Sequence, residues 1–230
     1  MAELSKQSLF IRQLAVATGA IWLAAYTYVH SASRVTETMP NAKMQAAVET
    51  RALLEQIAKT SSSDPITLAD LEHQTGLAFL AARQYKEAEP HFQKWLQLTR
   101  KYATSTARVT QALSSVANFY RDWRNYGMAS GLYLEAQALD TENMAVDPAP
   151  LIRDWNNLGV LDFLWGQASA DKHQRDEHFK LAKVWFSRAH DLALSSSSQS
   201  TDPQLLCLRN TIERNLAVMD YEVRPPAWPG

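Results

Sequence analysis

The sequence is poor in cysteine, glycine and net charge. A single cysteine, Cys207, excludes an internal disulfide, and because it stands between Leu206 and Leu208 we expect its thiol to be buried. Only 7 of the 230 residues are glycine, which is typical of an all-α protein rich in alanine and leucine. The formal net charge of −1 gives no electrostatic argument for binding nucleic acid.

Sequence patterns that carry known chemistry are also missing. No two histidines have the i, i+4 spacing of zinc proteases, and there is neither a glycine-rich phosphate loop nor a Gly-x-Ser-x-Gly elbow. The one local cluster joins His173 and His178 to Asp176 and Glu177, and we interpret it as a solvated polar stretch rather than a metal site. We therefore predict no catalytic residues, no metal, no cofactor and a protein that is not an enzyme.

One pattern of small and aromatic residues occurs twice between residues 71 and 139. The first copy runs Gly76, Phe79, Tyr85, Ala88, Phe92 and Trp95, and the second runs Ala117, Tyr120, Tyr126, Ala129, Tyr133 and Ala136, 41 residues later. The helical spacings predict two antiparallel helices in each copy, joined by the polar turns Arg83-Gln84 and Arg124-Asn125. Because one such hairpin cannot bury its apolar face alone, we expect stacked copies.

A third copy contains Gly159, 42 residues after Ala117. Its second half consists of Ala182, Phe186 and Ala189, which keep their mutual spacing but come 11 residues late. The intervening polar stretch 167–178 either lengthens both helices or forms an exposed loop. The absence of glycine and proline after Gly166 favours the longer hairpin.

Two further features mark the ends of helices. Asp-Pro pairs at Asp64, Asp147 and Asp202 each predict a helix start, because an acidic cap before proline suits a first turn. Residues 214–221 repeat residues 156–163 almost residue for residue, and no second helix follows them in the sequence. This last segment predicts a terminal capping helix.

At these residues the chain resembles the tetratricopeptide repeat (TPR) family. The run Gln84-Tyr-Lys-Glu-Ala-Glu-Pro-His-Phe92 is similar to the longer-period repeats of kinesin light chains, and Trp155-Asn-Asn-Leu-Gly159 resembles another run of that subfamily. The resemblance covers roughly residues 65–222. It implies an all-α, right-handed α-solenoid of TPR-type hairpins, a fold that many unrelated adaptors share, and it does not imply motor function.

The segment 1–34 differs from the repeats. About twenty uncharged residues run from Gln13 to Ala32, and a helix of that length spans ~30 Å, which matches a bilayer core. Three interpretations stay open: a signal anchor, a cleaved signal peptide, or an ordinary amphipathic or buried terminal helix. Lys6 and Arg12 precede the run and favour a cytoplasmic N-terminus, although basic residues after the run partly balance them.

These features predict four segments and a location. They are an anchor, transmembrane or signal helix at 1–34, a linker at 35–42, a TPR-like solenoid at 43–222 and a Pro-rich tail at 223–230. The predicted location is the membrane, as a single-pass signal anchor with the repeats outside the cytoplasm. After signal cleavage the protein would instead be secreted or periplasmic. The sequence does not indicate an oligomeric state.

Binding is the function that stacked hairpins favour, because their first helices line the concave side of the stack. Positions two before and one after each Gly76-like residue should point into that groove. They are Gln74, Leu77, Ser115, Asn118, Asn157, Val160, Asn215 and Val218, and Arg121, Arg153 and Arg214 lie on the same helices.

The candidate partner-binding residues are Ser115, Asn118, Asn157, Asn215, Arg121, Arg153 and Arg214. By resemblance to TPR grooves, the asparagines can hydrogen-bond the backbone of an extended peptide, and the arginines favour a carboxylate-bearing ligand. Each asparagine could instead bond its neighbouring repeat. We predict a membrane-tethered, non-catalytic adaptor that holds a protein or peptide partner and no nucleic acid. The alternative is a structural subunit of a membrane or envelope complex, assembled through the anchor helix and the convex face.

Overall fold

The structure is a computed structural model that describes residues 40–60, 64–197 and 202–223. These residues form eight α-helices and no β-strand, so the predicted all-α class is confirmed for this part of the chain. The helices are α1 (Pro40–Thr60), α2 (Pro65–Ala81), α3 (Tyr85–Tyr102), α4 (Thr106–Asp122), α5 (Tyr126–Asn143), α6 (Ala149–Ala168), α7 (Lys172–Ser197) and α8 (Pro203–Val223). None of these helices is long and apolar enough to cross a membrane.

The chain divides into two compact units, Met1–Glu49 and Thr50–Gly230. Within the first unit the structure describes residues 40–49, the beginning of α1. Because α1 starts at Pro40, the end of the segment predicted as a linker is helical, and proline suits a first turn, where its missing N–H needs no partner. The predicted anchor at 1–34 and residues 224–230 of the predicted tail lie outside the described residues.

Two helical hairpins of the second unit close with the same turn. Arg83 joins α2 to α3 in the first hairpin, Arg124 joins α4 to α5 in the second, and both adopt a left-handed backbone, with φ of 58° and 61°. The amide of the next residue donates to the carbonyl five positions earlier, at 2.9 Å for Gln84 and 2.8 Å for Asn125. This is a Schellman-type helix end, in which glycine is the usual left-handed residue. Both predicted turns are confirmed.

Each hairpin sets a small residue of its first helix against an aromatic residue of its second helix. Two of the pairs are Gly76–Phe92 and Gly159–Phe186, and at the equivalent positions of the second hairpin Ala117 and Tyr133 belong to one buried cluster. A Cβ added to Gly76 would lie 3.2 Å from the Phe92 ring, and one added to Gly159 would lie 2.6 Å from the Phe186 ring. Ala117 is fully buried, like its aromatic partner. The predicted repeat register is therefore confirmed by the packing.

The third hairpin, α6 and α7, is longer than the other two. Its polar stretch 167–178 extends both helices, and only residues 169–171 separate them, so the longer hairpin is confirmed over the exposed loop. Aspartates lie at the starts of four helices, α2, α6, α7 and α8, and the sequence predicted three of these four. Backbone amides donate to Asp64 from Ile66 (3.0 Å), to Asp147 from Ala149 (3.0 Å), to Asp171 from His173 (3.1 Å) and to Asp202 from Gln204 (2.9 Å).

Helix α8 covers the third hairpin with one face only. Leu205, Ile212 and Met219 recur every seven residues and are buried. Cys207 lies on another side of α8 and is exposed, so the prediction of a buried thiol is wrong. Flanking leucines misled that prediction because neighbours in a helical sequence point in different directions.

Candidate protein-binding surface

One stripe of the first helices stays accessible in each hairpin. We define the first-helix stripe as Gln74, Leu77, Ser115, Asn118, Asn157, Val160, Asn215 and Val218, on α2, α4, α6 and α8. All eight side chains are exposed or half-buried, and Leu77 and Val218 are 44% and 49% exposed. The positions next to the stripe, such as Gly76 and Ala117, are buried against the second helices. The stripe therefore faces away from the core of each hairpin, as helical geometry requires.

Polar contacts join each first helix to the next one. Arg108 of α4 pairs with Asp70 of α2. The hydroxyl of Ser114 on α4 donates to Asp154 of α6 at 2.9 Å, and the amide of Asn215 on α8 donates to Asn156 of α6 at 2.8 Å. These contacts hold the four first helices side by side, so the stripe crosses from one hairpin to the next.

Two predicted binding residues are engaged inside their own hairpin. The hydroxyl of Tyr133 donates to Asn118 Oδ1 at 2.6 Å, and Arg121 donates to the same hydroxyl at 3.4 Å. Arg121 also pairs with Asp122 at 2.9 Å. Burial raises the pKa of Tyr133, so its hydroxyl stays protonated and keeps donating. The carbonyl of Asn118 thus already accepts one hydrogen bond, and its second lone pair and its amide group remain for a partner.

Asn215 hydrogen-bonds a neighbouring repeat, which is the alternative that the sequence left open for each asparagine. Its amide spans from α8 to Asn156 on α6. Arg214, although exposed, donates to the carbonyl of Asn210 one turn earlier at 3.2 Å. Asn215 is therefore engaged between two helices, and Arg214 is engaged within its own helix.

The remaining three predicted residues form an accessible polar patch. Ser115 and Asn157 are half-buried and Arg153 is exposed. Ser115 and Arg153 flank the Ser114–Asp154 hydrogen bond along their helices, and Asn157 follows Arg153 by one turn. Within the described residues, their side chains make no hydrogen bond and no ion pair at contact distance. We call Ser115, Arg153 and Asn157 the α4–α6 patch.

Sequence reasoning missed the buried polar pairs that link the two helices of a hairpin. His91 Nδ1 lies 2.6 Å from Glu72 in the first hairpin, and His178 Nδ1 lies 2.8 Å from Asp162 in the third. Trp185 Nε1 also donates to Asp162 at 3.1 Å. Burial raises the pKa of Asp162, and its hydrogen bond with His178 opposes that rise.

The same geometry separates the histidine cluster seen in the sequence. His178 turns inward to Asp162, whereas the exposed His173 lies 3.5 Å from Glu177 on the surface of α7. Among the described residues no three histidine, cysteine or acidic side chains come together in a way that could hold a metal ion.

Cavities lie apart from the first-helix stripe. One of about 390 Å³ is lined by Gln93, Leu96, Gln97, Arg100 and Lys101, all on α3. Another of about 500 Å³ lies where the α5–α6 connection meets α7 and α8, and Met144, Pro148 and Leu192 line it. Neither of these two cavities includes a residue of the stripe.

Comparison with known proteins gives matches among solved structures. No family model matches the sequence, and no curated protein is similar to it. A crystal structure of BtubC (BKLC) from P. vanneervenii is similar over 95% of this chain and 95% of that chain, with 15% sequence identity and a TM-score of 0.44. The likeness is too loose to place individual residues, so the assignment of helical hairpins rests on the contacts described above.

Proposed function

We propose that this protein is a non-catalytic protein-interaction adaptor of the TPR type, built as a right-handed solenoid. A partner segment would bind along its first-helix stripe. The observation that carries the proposal is the α4–α6 patch: three polar side chains at a hairpin junction, accessible and without intramolecular partners. Internal side-chain hydrogen bonds engage the other two asparagines of the stripe, Asn118 and Asn215, whereas Ser115 and Asn157 at this junction keep their hydrogen-bonding groups available.

The chemistry of the patch suits an extended peptide. Asn157 can donate to a peptide carbonyl and accept from a peptide N–H, and Ser115 can do the same. The guanidinium of Arg153 can bind a carboxylate of the partner through two parallel hydrogen bonds. Leu77 and Val218 extend the stripe with accessible apolar surface on either side. We expect an acidic side chain in the partner near Arg153.

The membrane tether is a further part of the proposal, and it rests on the sequence of residues 13–32. A stable anchor keeps the full chain in the membrane fraction after alkaline carbonate extraction, and deletion of residues 1–34 releases it. Release of the full chain by carbonate would contradict the anchor. Mature protein that lacks the segment would instead identify a cleaved signal peptide and a secreted or periplasmic protein.

Site-specific photocrosslinking in cells tests the binding surface. A photoreactive amino acid replaces Ser115 or Asn157 on the patch, and Lys94 or Lys180, both exposed on second helices, serve as controls. The proposal predicts that one and the same protein, identified by mass spectrometry, is attached at both patch positions and at neither control. Attachment only at the controls, or different proteins at every position, would contradict it.

The alternative function, a structural subunit of a membrane complex, has its own supporting observation. Apolar side chains on the second helices α5 and α7 remain exposed: Met128 (49%), Leu134 (42%), Leu181 (46%) and Val184 (46%). A subunit assembled through this face and the anchor leaves its complex when residues 1–34 are deleted, or when Leu181 and Val184 become serine. An adaptor keeps its partner in both variants.

A further inference from the structure

The junction between the second and third hairpins contains two buried carboxyl groups in contact with each other. Asp140 at the end of α5 is 6% exposed, and Asp154 in α6 is 2% exposed. Their side chains are within hydrogen-bonding reach of each other. Two ionised carboxylates can only accept hydrogen bonds, so this contact is favourable only when one of them carries a proton.

The hydrogen bonds around the pair indicate where that proton resides. Ser114 donates to Asp154 Oδ1 at 2.9 Å, whereas Asp154 Oδ2 is buried without a donor among the described residues. Protonation of Oδ2 would turn this unsatisfied acceptor into a donor toward Asp140. The hydroxyl of Thr110 on α4, which donates to the carbonyl of Ala107 at 3.2 Å, also lies near Asp140, so side chains from α4, α5 and α6 surround the pair.

Other charges near the pair do not replace the proton. Arg153, exposed on α6, attracts both carboxylates, and Asp147 in the α5–α6 connection repels Asp140. Tyr133 of α5 also faces Asp154, and its hydroxyl is neutral. Burial outweighs the attraction of Arg153 and raises the pKa of Asp154 to about 7, and it raises the pKa of Asp140 as well. Both carboxyl groups therefore resist ionisation.

We propose that Asp140 and Asp154 share one proton, and that loss of this proton weakens the packing of the third hairpin on the second. The junction is then sensitive to pH in a range that cells and their compartments reach. The inference concerns the fold and does not depend on the proposed function. It adds a consequence for that function, because the α4–α6 patch lies on the same helices.

A bound cation is the competing explanation for two buried carboxylates. The site offers only two carboxylates and two hydroxyls, and the described residues assemble no group of three ligating side chains. A proton satisfies the same oxygens without further ligands. The experiment below therefore includes a metal arm.

Urea denaturation of the full chain between pH 5 and pH 8 tests the proposal, with Asp154→Asn as the variant. The matched control is Asp176→Asn, which removes the same charge from an exposed position. We expect the unfolding midpoint of the parent chain to fall as pH rises. The midpoint of Asp154→Asn should fall less, and that of Asp176→Asn should follow the parent.

Two further measurements keep the proposal falsifiable if Asp154→Asn does not fold. Carbon-13 NMR of the parent chain should show one aspartate carboxyl that titrates between pH 5 and pH 8 and is absent from the Asp140→Asn spectrum. Parallel pH slopes for parent and Asp154→Asn, or no aspartate titrating in that range, would overturn the proposal. A midpoint that rises with added Mg²⁺ or Ca²⁺ and falls with EDTA would also overturn it, in favour of a bound cation.

Discussion

Alanine replacements at three glycines measure how closely the helices approach, because each glycine faces a different amount of space. A Cβ on Gly131 of α5 meets nothing within 4 Å, one on Gly76 meets the Phe92 ring at 3.2 Å, and one on Gly159 meets the Phe186 ring at 2.6 Å. All three glycines lie inside helices. Replacing glycine with alanine in a helix interior gains about 1 kcal/mol of stability when nothing else changes.

Whether each replacement raises or lowers the stability of the chain depends on that gain and on the contact the new methyl group makes. Gly131→Ala should stabilise the chain by about 1 kcal/mol, since only helix propensity changes. For Gly159→Ala the added methyl group overlaps the ring of Phe186. Because Phe186 is only 2% exposed, the ring has no free space to move into. Overpacking of this kind costs about 1–3 kcal/mol, so a net loss of up to about 2 kcal/mol is expected after the gain in helix propensity. Gly76→Ala should fall between them, near zero.

Urea denaturation followed by far-ultraviolet circular dichroism gives the order of the three midpoints. We predict Gly131→Ala above the parent, Gly76→Ala close to it and Gly159→Ala below it. Combining Gly159→Ala with Phe186→Leu should cost less than the sum of the two single variants, because the smaller side chain makes room for the methyl group. A Gly159→Ala chain as stable as Gly131→Ala would refute the close approach and with it the repeat register.

Four other substitutions should change the free energy of unfolding, two raising it and two lowering it. Arg83→Gly and Arg124→Gly should each stabilise the chain by up to about 1 kcal/mol, because glycine adopts the left-handed backbone of these turns without strain; a loss of stability would contradict the turn geometry. Tyr133→Phe should cost about 1 kcal/mol by removing the hydroxyl that donates to the carbonyl of the half-buried Asn118, and an unchanged midpoint would show that water replaces the hydroxyl. Asp64→Ala should cost about 1 kcal/mol by removing the acceptor that begins α2, with Asp176→Ala as an exposed control of the same charge.

The pH effect at Asp154 has a defined sign. Its pKa rises from an ordinary value of 3.8 to about 7 in the folded chain. Between these two pH values the folded chain therefore keeps a proton that the unfolded chain has already lost. The stability linked to this group is therefore full below about pH 4 and is lost as pH rises toward 7, with no further change above it. Acid titration of the other carboxylates acts in the opposite direction at low pH, which makes pH 5–8 the useful window.

Local features of the chain were predictable from the sequence. The turns at Arg83 and Arg124, the caps at Asp64 and Asp202 and the length of the third hairpin depend on residues close together in the chain. Local sequence signals therefore locate these turns, caps and helix ends. The repeat register was also predictable, because the small and aromatic residues recur at a spacing longer than one helix. Such a spacing indicates a repeat of whole hairpins.

Contacts between helices were not predictable, because they depend on how each helix is rotated against its neighbours. The pairs His178–Asp162 and Asp140–Asp154 join positions that have no sequence pattern in common. The same rotation decided that Asn118 turns its carbonyl to Tyr133 while Asn157 stays available. The sequence placed both asparagines on one accessible stripe and could not distinguish their hydrogen bonding.

Hydrogen exchange tests the central claim most directly, namely that the first helices carry the partner-binding surface. Amide exchange is measured by mass spectrometry for the chain alone and for the chain with the partner captured at Ser115 and Asn157. The account predicts slower exchange in peptides of α4 and α6 upon binding, and unchanged exchange in α3 and in the exposed face of α7. Slower exchange confined to α5 and α7, with α4 and α6 unchanged, would contradict it and would favour assembly through the second helices.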